Sequence, residues 1–345
     1  MFAKAFMQPQ KRHKTKPISL ITVTCLLILI LFLASLALGS VSISLTELYH
    51  LLLGKEENPA HAAILWEARL PRSVTALSTG AALALSGLLM QTLFRNPLAG
   101  PSVLGISGGS SLMVAVLLMT SSAVGMQLGA LSFSLITALA AGIGAIAVLL
   151  IILAISRQFK EQYSLLLSGI MIGYLLGALE SILQFQSTSE ALKSYILWGM
   201  GSFSHATWLA IGIISLVTLI GFAFAWANRH SLNLFLMGDQ QAQLLGLSVK
   251  HFQLRLILLS GILVAVATAF CGPIGFIGLV SPHLVRLILR EADHRKIMPA
   301  TLLMGGALAL LADLVSRMYA IPVNAITALI GAPVVLFVIF NQRKG

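Results

Sequence analysis

The feature that most limits what this chain can become is a succession of ten apolar runs, most of them about twenty residues long, set between short polar gaps. They fall at 18–39, 73–93, 102–119, 128–155, 163–184, 206–227, 253–272, 274–287, 299–316 and 325–340. A helix of about 20 apolar residues crosses a hydrocarbon core while satisfying its own backbone groups. The pattern predicts an all-α polytopic membrane protein of about ten transmembrane helices, built as one domain over 1–345. Composition agrees: 10% of the residues are charged, against about 25% in soluble domains. The run 274–287 is short for a crossing, and has to continue toward Ala292 or pack inside the bundle. A further short segment, Glu190 to Trp198, reads as a half-helix outside the fifth span.

The chain opens with a basic tail, 1–17, carrying Lys4, Lys11, Arg12, Lys14 and Lys16. The apolar stretch after it exceeds the 7–15 residues of a signal-peptide h-region, so a first transmembrane helix is expected. With the N-terminus placed in the cytoplasm, the outer segments hold only Lys55, Arg69, Arg72, Lys193 and Arg317. The other 17 of the 22 lysines and arginines fall in inner segments. That is the positive-inside bias, and adding or dropping one span would spoil it. Both termini are therefore expected on the inner side. Trp66, Trp198 and Trp208 then lie near the outer interface and Trp226 near the inner one.

A net charge of +11 invites a nucleic-acid reading. DNA-binding proteins gather their basic residues on one soluble face, whereas here they are scattered through gaps between apolar runs, so no nucleic-acid partner is expected. Cys25 and Cys271 each sit in an apolar run without metal-ligand spacing, and read as small buried residues. No cofactor or metal constellation is apparent. No G-x-x-x-x-G-K-[ST] motif occurs, so any ATP would be handled by a separate subunit. The stretches Leu85–Gly105 and Val264–Gly278 look distantly alike, each with a Gly-Pro step, as weak inverted repeats would.

Three features admit a chemical reading beside a structural one. Gly105-Ile106-Ser107-Gly108-Gly109 matches the G-x-S-x-G pattern, for which His283 is the nearest conceivable base. Read structurally, Gly105 and Gly109 are small residues four apart that let helices approach closely. Two acids lie in apolar runs, where a charge needs a partner or a wet cavity. Asp313 has Arg317 four residues on, enough for an ion pair. Glu180 has no evident partner in its helix, which leaves an ion-coupled secondary transporter as an alternative. Finally, the longest inner segment, 228–251, contains Gly238-Asp239-Gln240-Gln241-Ala242-Gln243-Leu244-Leu245-Gly246. It reads as a short amphipathic helix ended by Gly246 in a left-handed conformation, either a solvated loop helix or a docking knob.

Several of these segments, in this order along nearly the whole chain, resemble the iron-siderophore, haem and vitamin B12 permease family of ABC importers. They are Arg69-Leu70-Pro71-Arg72, Gly80 to Gly87, Arg95-Asn96-Pro97-Leu98-Ala99, the Gly-Asp-x-x-Ala-x-x-Leu-Gly segment, Cys271 to Val280, Pro282-His283, Ala312-Asp313, Arg317 and Gly331-Ala332-Pro333. The resemblance implies a type II importer permease in a bacterial cytoplasmic membrane, paired with a second permease subunit. It also implies two cytoplasmic ABC ATPases and an external binding protein. Arg69, Arg72 and Arg317 match arginines that meet glutamates of the binding protein. Gly238, Asp239, Ala242, Leu245 and Gly246 belong to the segment matching the coupling helix that seats in the ATPase. A ferric siderophore is the expected cargo, with haem and cobalamin as alternatives.

Overall fold

A computed structural model describes residues 17–39, 41–54, 58–124, 130–158, 162–204 and 207–342. Every regular element among them is helical. In chain order these are α1 (Pro17–Ala37), α2 (Leu45–Leu52), α3 (Pro59–Leu93), α4 (Ile106–Val124), α5 (Ala130–Gln158), α6 (Gln162–Phe185), α7 (Ser189–Gly199) and α8 (Trp208–Ala227). They continue with α9 (Arg229–Leu236), α10 (Asp239–Leu244), α11 (Val249–Cys271), α12 (Ile277–Leu289), α13 (His294–Tyr319) and α14 (Val323–Gln342). Seven of these are long and apolar enough to cross a membrane, and α4, α12 and α14 supply three shorter apolar segments. The ten correspond one to one with the ten apolar runs. The basic tail lies outside the described residues apart from Pro17.

The sequence reading missed two things about these elements. α2 is too short and too mixed in polarity to stand out. α3 begins fourteen residues before the run at 73, because Glu67, Arg69 and Arg72 interrupt the apolar pattern without ending the helix. Its start is set by Asn58, whose side-chain oxygen accepts from Ala60 N–H at 3.1 Å, and by Pro59 in the first turn, where a missing N–H costs nothing. The turn Ile64–Arg69 is π-helical.

Burial sorts the helices into a centre and a rim. Among the seven long ones, α3, α13 and α11 have 78%, 67% and 61% of their apolar window buried, while α6 has 11%. α3 and α13 run antiparallel in backbone contact: a Cβ on Gly80 would strike the Gly305 carbonyl, and one on Gly305 would strike Gly80 and Ala84. α12 meets α3 in the same way, through Gly87 and Gly278. With 13 residues it packs within the bundle against α3, α13 and α14. Small residues are the means by which helices associate where no hydrophobic drive separates them from lipid. The two stretches that look alike in sequence are in contact, since Gly278 also abuts Pro101.

Cys271 is buried, with its sulfur 3.3 Å from Thr79 Oγ1. Cys25 departs from expectation: it occupies the exposed face of α1. An apolar run shows that a segment is apolar all round, and does not show which side meets the protein.

Candidate functional site

The polar residues that the sequence singled out gather at opposite ends of the α3–α13 pair. At one end a cavity of about 630 Å³ is lined by Arg69, Arg72 and Arg317 together with the start of α14 and the loop after α7. Asp313, fully buried, lies between two of these arginines. Arg72 Nε donates to its Oδ1 at 2.7 Å, and Arg317 Nε stands 3.1 Å from Oδ2. The expected Asp313–Arg317 pair is therefore present, and Arg72 joins it from another helix. Three guanidinium groups line the cavity and one carboxylate lies between two of them, so the cavity is electropositive.

The three arginines are not equivalent. Arg69 is 5% exposed, and its guanidinium donates to the carbonyls of Leu36 (2.6 Å), Ala37 (2.8 Å) and Val41. Those belong to the end of α1 and the turn after it, where carbonyls have lost their helical partners. Arg69 thus fastens α1 to α3, and its donors are committed inside the chain. Arg72 is 20% exposed. Arg317 is mostly buried, with Nη1 donating to the Ser35 carbonyl at 3.1 Å and Nη2 left without a protein partner among the described residues.

At the other end, α9 and α10 form a small platform. Gly238 (φ +111°) leads into α10, and Gly246 (φ +86°) closes it. Gly246 N–H donates to Gln243 O and Leu247 N–H to Ala242 O, both at 2.9 Å. This is the double bond of a glycine-terminated helix end. Ala242 has no exposure and belongs to the main core, so it seats α10 on its own chain, not on a partner. The outward face consists of Gln240, Gln241, Gln243, Leu244 and Leu245, with Leu244 87% exposed. Asp239 receives a bond from Arg95 at the foot of α3. Arg95 Nε also donates to Phe235 O at 2.9 Å, and its guanidinium carbon lies 4.8 Å from the Phe235 ring centroid. Leu244 and Arg95 had not been singled out as residues of this platform, although a leucine beside glutamines in a polar segment is a visible signal.

The remaining acid and the serine pattern resolve structurally. Glu180 accepts from the Tyr195 hydroxyl of α7 at 2.9 Å. Burial and the Glu180 carboxylate push the Tyr195 pKa upward, which keeps that hydroxyl a donor. Gly109 packs directly on Gly144 of α5, and Gly105 (φ +74°) lies against Gly169 of α6. His283 Nε2 has no hydrogen-bond partner among the described residues, so Ser107 does not form a dyad through it.

The sequence profile of the FecCD transport family covers residues 27–341. The chain belongs to the FecCD transport family. FecCD relatives include the hemin transport system permease protein HmuU of Yersinia pestis, 38% identical over 92% of this chain and 94% of that one. The vitamin B12 import system permease protein BtuC of Photorhabdus laumondii is 34% identical over 97% and 95%. The molybdate import system permease protein MolB of Haemophilus influenzae is 33% identical over 93% and 95%. A solved inward-facing structure of a putative metal-chelate type ABC transporter superposes with a TM-score of 0.79 at 30% identity, covering 94% of this chain and 99% of that one.

As a FecCD permease the chain is not itself an enzyme, and it works within an ABC transporter complex that includes a separate ATPase and a permease partner. Membership of the FecCD family also removes the two alternatives drawn from Glu180 and from Ser107 with His283.

Proposed function

We propose that this FecCD permease carries a ferric siderophore or related iron chelate across the bacterial cytoplasmic membrane, with haem or cobalamin as alternative cargo. The observation that carries the reading is the polarity of the α3–α13 pair. One end opens on an electropositive cavity, and the other holds a capped helix with exposed leucines. The arginine end faces outward and receives a binding protein through carboxylates. Arg72 and Arg317 make that contact, and Arg69 holds the scaffold beneath them. The α10 end faces the cytoplasm, where Gln241, Leu244 and Leu245 seat in one of two ABC ATPases, while Gly238, Asp239, Ala242 and Gly246 shape the helix. This orientation leaves both termini inside and follows the charge bias of the loops.

Iron chelate is favoured among the cargoes because the haemin relative, at 38% identity, exceeds the Photorhabdus vitamin B12 relative at 34% and the molybdate relative at 33%, and the metal-chelate structure matches nearly the whole chain. Uptake by proteoliposomes containing the permease, its ATPase and its binding protein tests this directly. Vanadate-sensitive accumulation of a ferric chelate, with no accumulation of molybdate, is expected. Accumulation of cobalamin or molybdate in preference to every ferric chelate offered would overturn the cargo assignment. In cells, a single cysteine placed at 190 should react with an impermeant thiol reagent while one at 250 stays shielded. The reverse pattern would invert the orientation.

A further inference from the structure

The platform formed by α9 and α10 is joined to the membrane bundle by a chain of buried and partly buried hydrogen bonds. Asn233 on α9 donates through Nδ2 to Asp293 Oδ1 at 2.7 Å. Its Oδ1 accepts the backbone N–H of His294 at 3.0 Å and lies 2.7 Å from His294 Nδ1. An amide oxygen can only accept, so Nδ1 carries the hydrogen. His294 has no exposure, and its Nε2 stands 2.8 Å from Thr92 Oγ1 on α3. With the ring hydrogen on Nδ1, Nε2 is an acceptor, and the one Thr92 hydroxyl hydrogen is shared between it and the Leu88 carbonyl, each 2.8 Å from Oγ1. Asn233, His294 and Thr92 thus link α9, the first residue of α13 and the last turn of α3 in one series. Arg95 makes a parallel tie from α3 to Phe235 and Asp239.

What this series grips is rigid. α3 and α13 touch backbone to backbone at Gly80 and Gly305, so neither can slide along the other without collision. Their far ends are tied again by Arg72 and Asp313. Buried polar groups are costly to leave without partners, so a displacement of α9 that left α3 and α13 behind would be opposed at every bond in the series.

We infer that Asn233, His294 and Thr92 form a latch that makes the coupling platform and the α3–α13 pair move as one body, so that ATPase motion reaches the cavity at the far end. The three are positioning residues, acting through the helices they join. The inference rests on the proposed seating of α10 in an ATPase. Contact alone does not establish coupling between distant sites, and the test therefore reads coupling itself.

The assembled transporter, with ATPase and binding protein in proteoliposomes, is compared as wild type, Thr92→Val, Thr92→Ser, Asn233→Ala and the Thr92→Val/Asn233→Ala double variant. Two quantities are read: ATPase retained on the affinity-purified permease, and cargo transported per ATP hydrolysed. Thr92→Val and Asn233→Ala should retain the ATPase at the wild-type ratio and lower transport per ATP by about fivefold, the low end of coupling between sites. Thr92→Ser, which keeps the hydroxyl, should stay near wild type. The double variant should be no worse than the poorer single, because both cut one series. Thr92→Val is close to isosteric and decides the matter if Asn233→Ala does not fold. Wild-type transport per ATP in assembled Thr92→Val complexes overturns the inference, as does loss of the ATPase from that variant. A wild-type permease that retains no ATPase would instead overturn the seating of α10.

Discussion

Arg72 and Asp313 stand 241 positions apart in the chain and meet at 2.7 Å, the arginine on α3 and the fully buried carboxylate on α13. Arg317 holds the second carboxylate oxygen. Removing one partner of a buried pair leaves an uncompensated charge, typically at a cost of about 3–5 kcal/mol. Asp313→Asn should therefore melt well below wild type in detergent, read as the monodisperse fraction after heating. Arg72→Gln should do less damage, since Arg317 still answers the carboxylate. An Asp313→Asn protein as heat-resistant as wild type would show that the triad contributes nothing to the fold.

The proposed docking by Arg72 and Arg317 and the scaffold role of Arg69 predict different outcomes. Arg72→Glu and Arg317→Glu should slow association of the binding protein with immobilised permease, most visibly at low salt, since charge pairs at an interface act largely on encounter. A Glu→Arg change on the binding protein should restore part of the rate. Arg69→Gln should leave that rate intact and lower thermal stability, because its donors hold the end of α1. Equal on-rates for wild type and both charge reversals would discard the docking assignment.

Leu244 presents 87% of its surface on the outward side of α10. Leu244→Asp should abolish co-purification of the ATPase without changing the permease's own melting, as no internal contact is lost. Ala242→Trp, by contrast, should disturb the platform itself, since that side chain faces the core. Normal ATPase recovery with Leu244→Asp would place the docking face elsewhere.

Glycines at the helix crossings should tolerate nothing larger. Gly87→Ala drives a methyl into the Gly278 carbonyl, and overpacking of this kind costs about 1–3 kcal/mol. Gly142→Ala, on α5 with open space around it, should be neutral or gain up to about 1 kcal/mol from helix propensity. If the two substitutions behave alike in a thermal scan, the crossings are looser than described.

Asp293 caps α13 and should give the protein one component of its acid sensitivity. Burial raises its pKa, but bonds from Asn233 and the Arg295 N–H, with Lys296 and His294 nearby, outweigh that and hold it below the usual carboxylate value. A carboxyl whose folded pKa is depressed contributes stability that is present above its unfolded pKa. That contribution is lost as pH falls through the folded value. The melting temperature of wild type should thus drop more steeply than that of Asp293→Asn in the acid range below the ordinary carboxylate pKa. Parallel pH profiles would remove Asp293 from the account.

The ten crossings were legible because hydropathy summed over some twenty residues survives any local irregularity, and Gly246 was legible because few residues end a helix in a left-handed turn. The arginines were flagged by their place against the charge bias, but their division of labour was not. That Arg69 spans back to Leu36 depends on where α1 ends relative to α3, which no local pattern encodes. That Ala242 faces the core and Leu244 the outside was not legible for a related reason: a six-residue helix has too few turns for periodicity to say which face is buried. Asn233, His294 and Thr92 looked like unremarkable loop and helix-end residues, and only the meeting of three distant segments gives them a shared role.

The π-helical turn Ile64–Arg69 ends three residues before Arg72 in the same helix. Such a turn takes up one residue more than an α-helical turn, and each α-helical residue advances about 100° around the axis. Everything N-terminal to it is therefore out of phase with the body of α3 by roughly that angle. Arg69 closes the turn, so it and Arg72 keep the phase of the body of α3, and the shift falls on Pro59–Ala63. Removing one residue from this turn would shorten the chain by little but rotate Pro59–Ala63 and the segment before it about the axis of α3, carrying their contacts to a different side of the mouth.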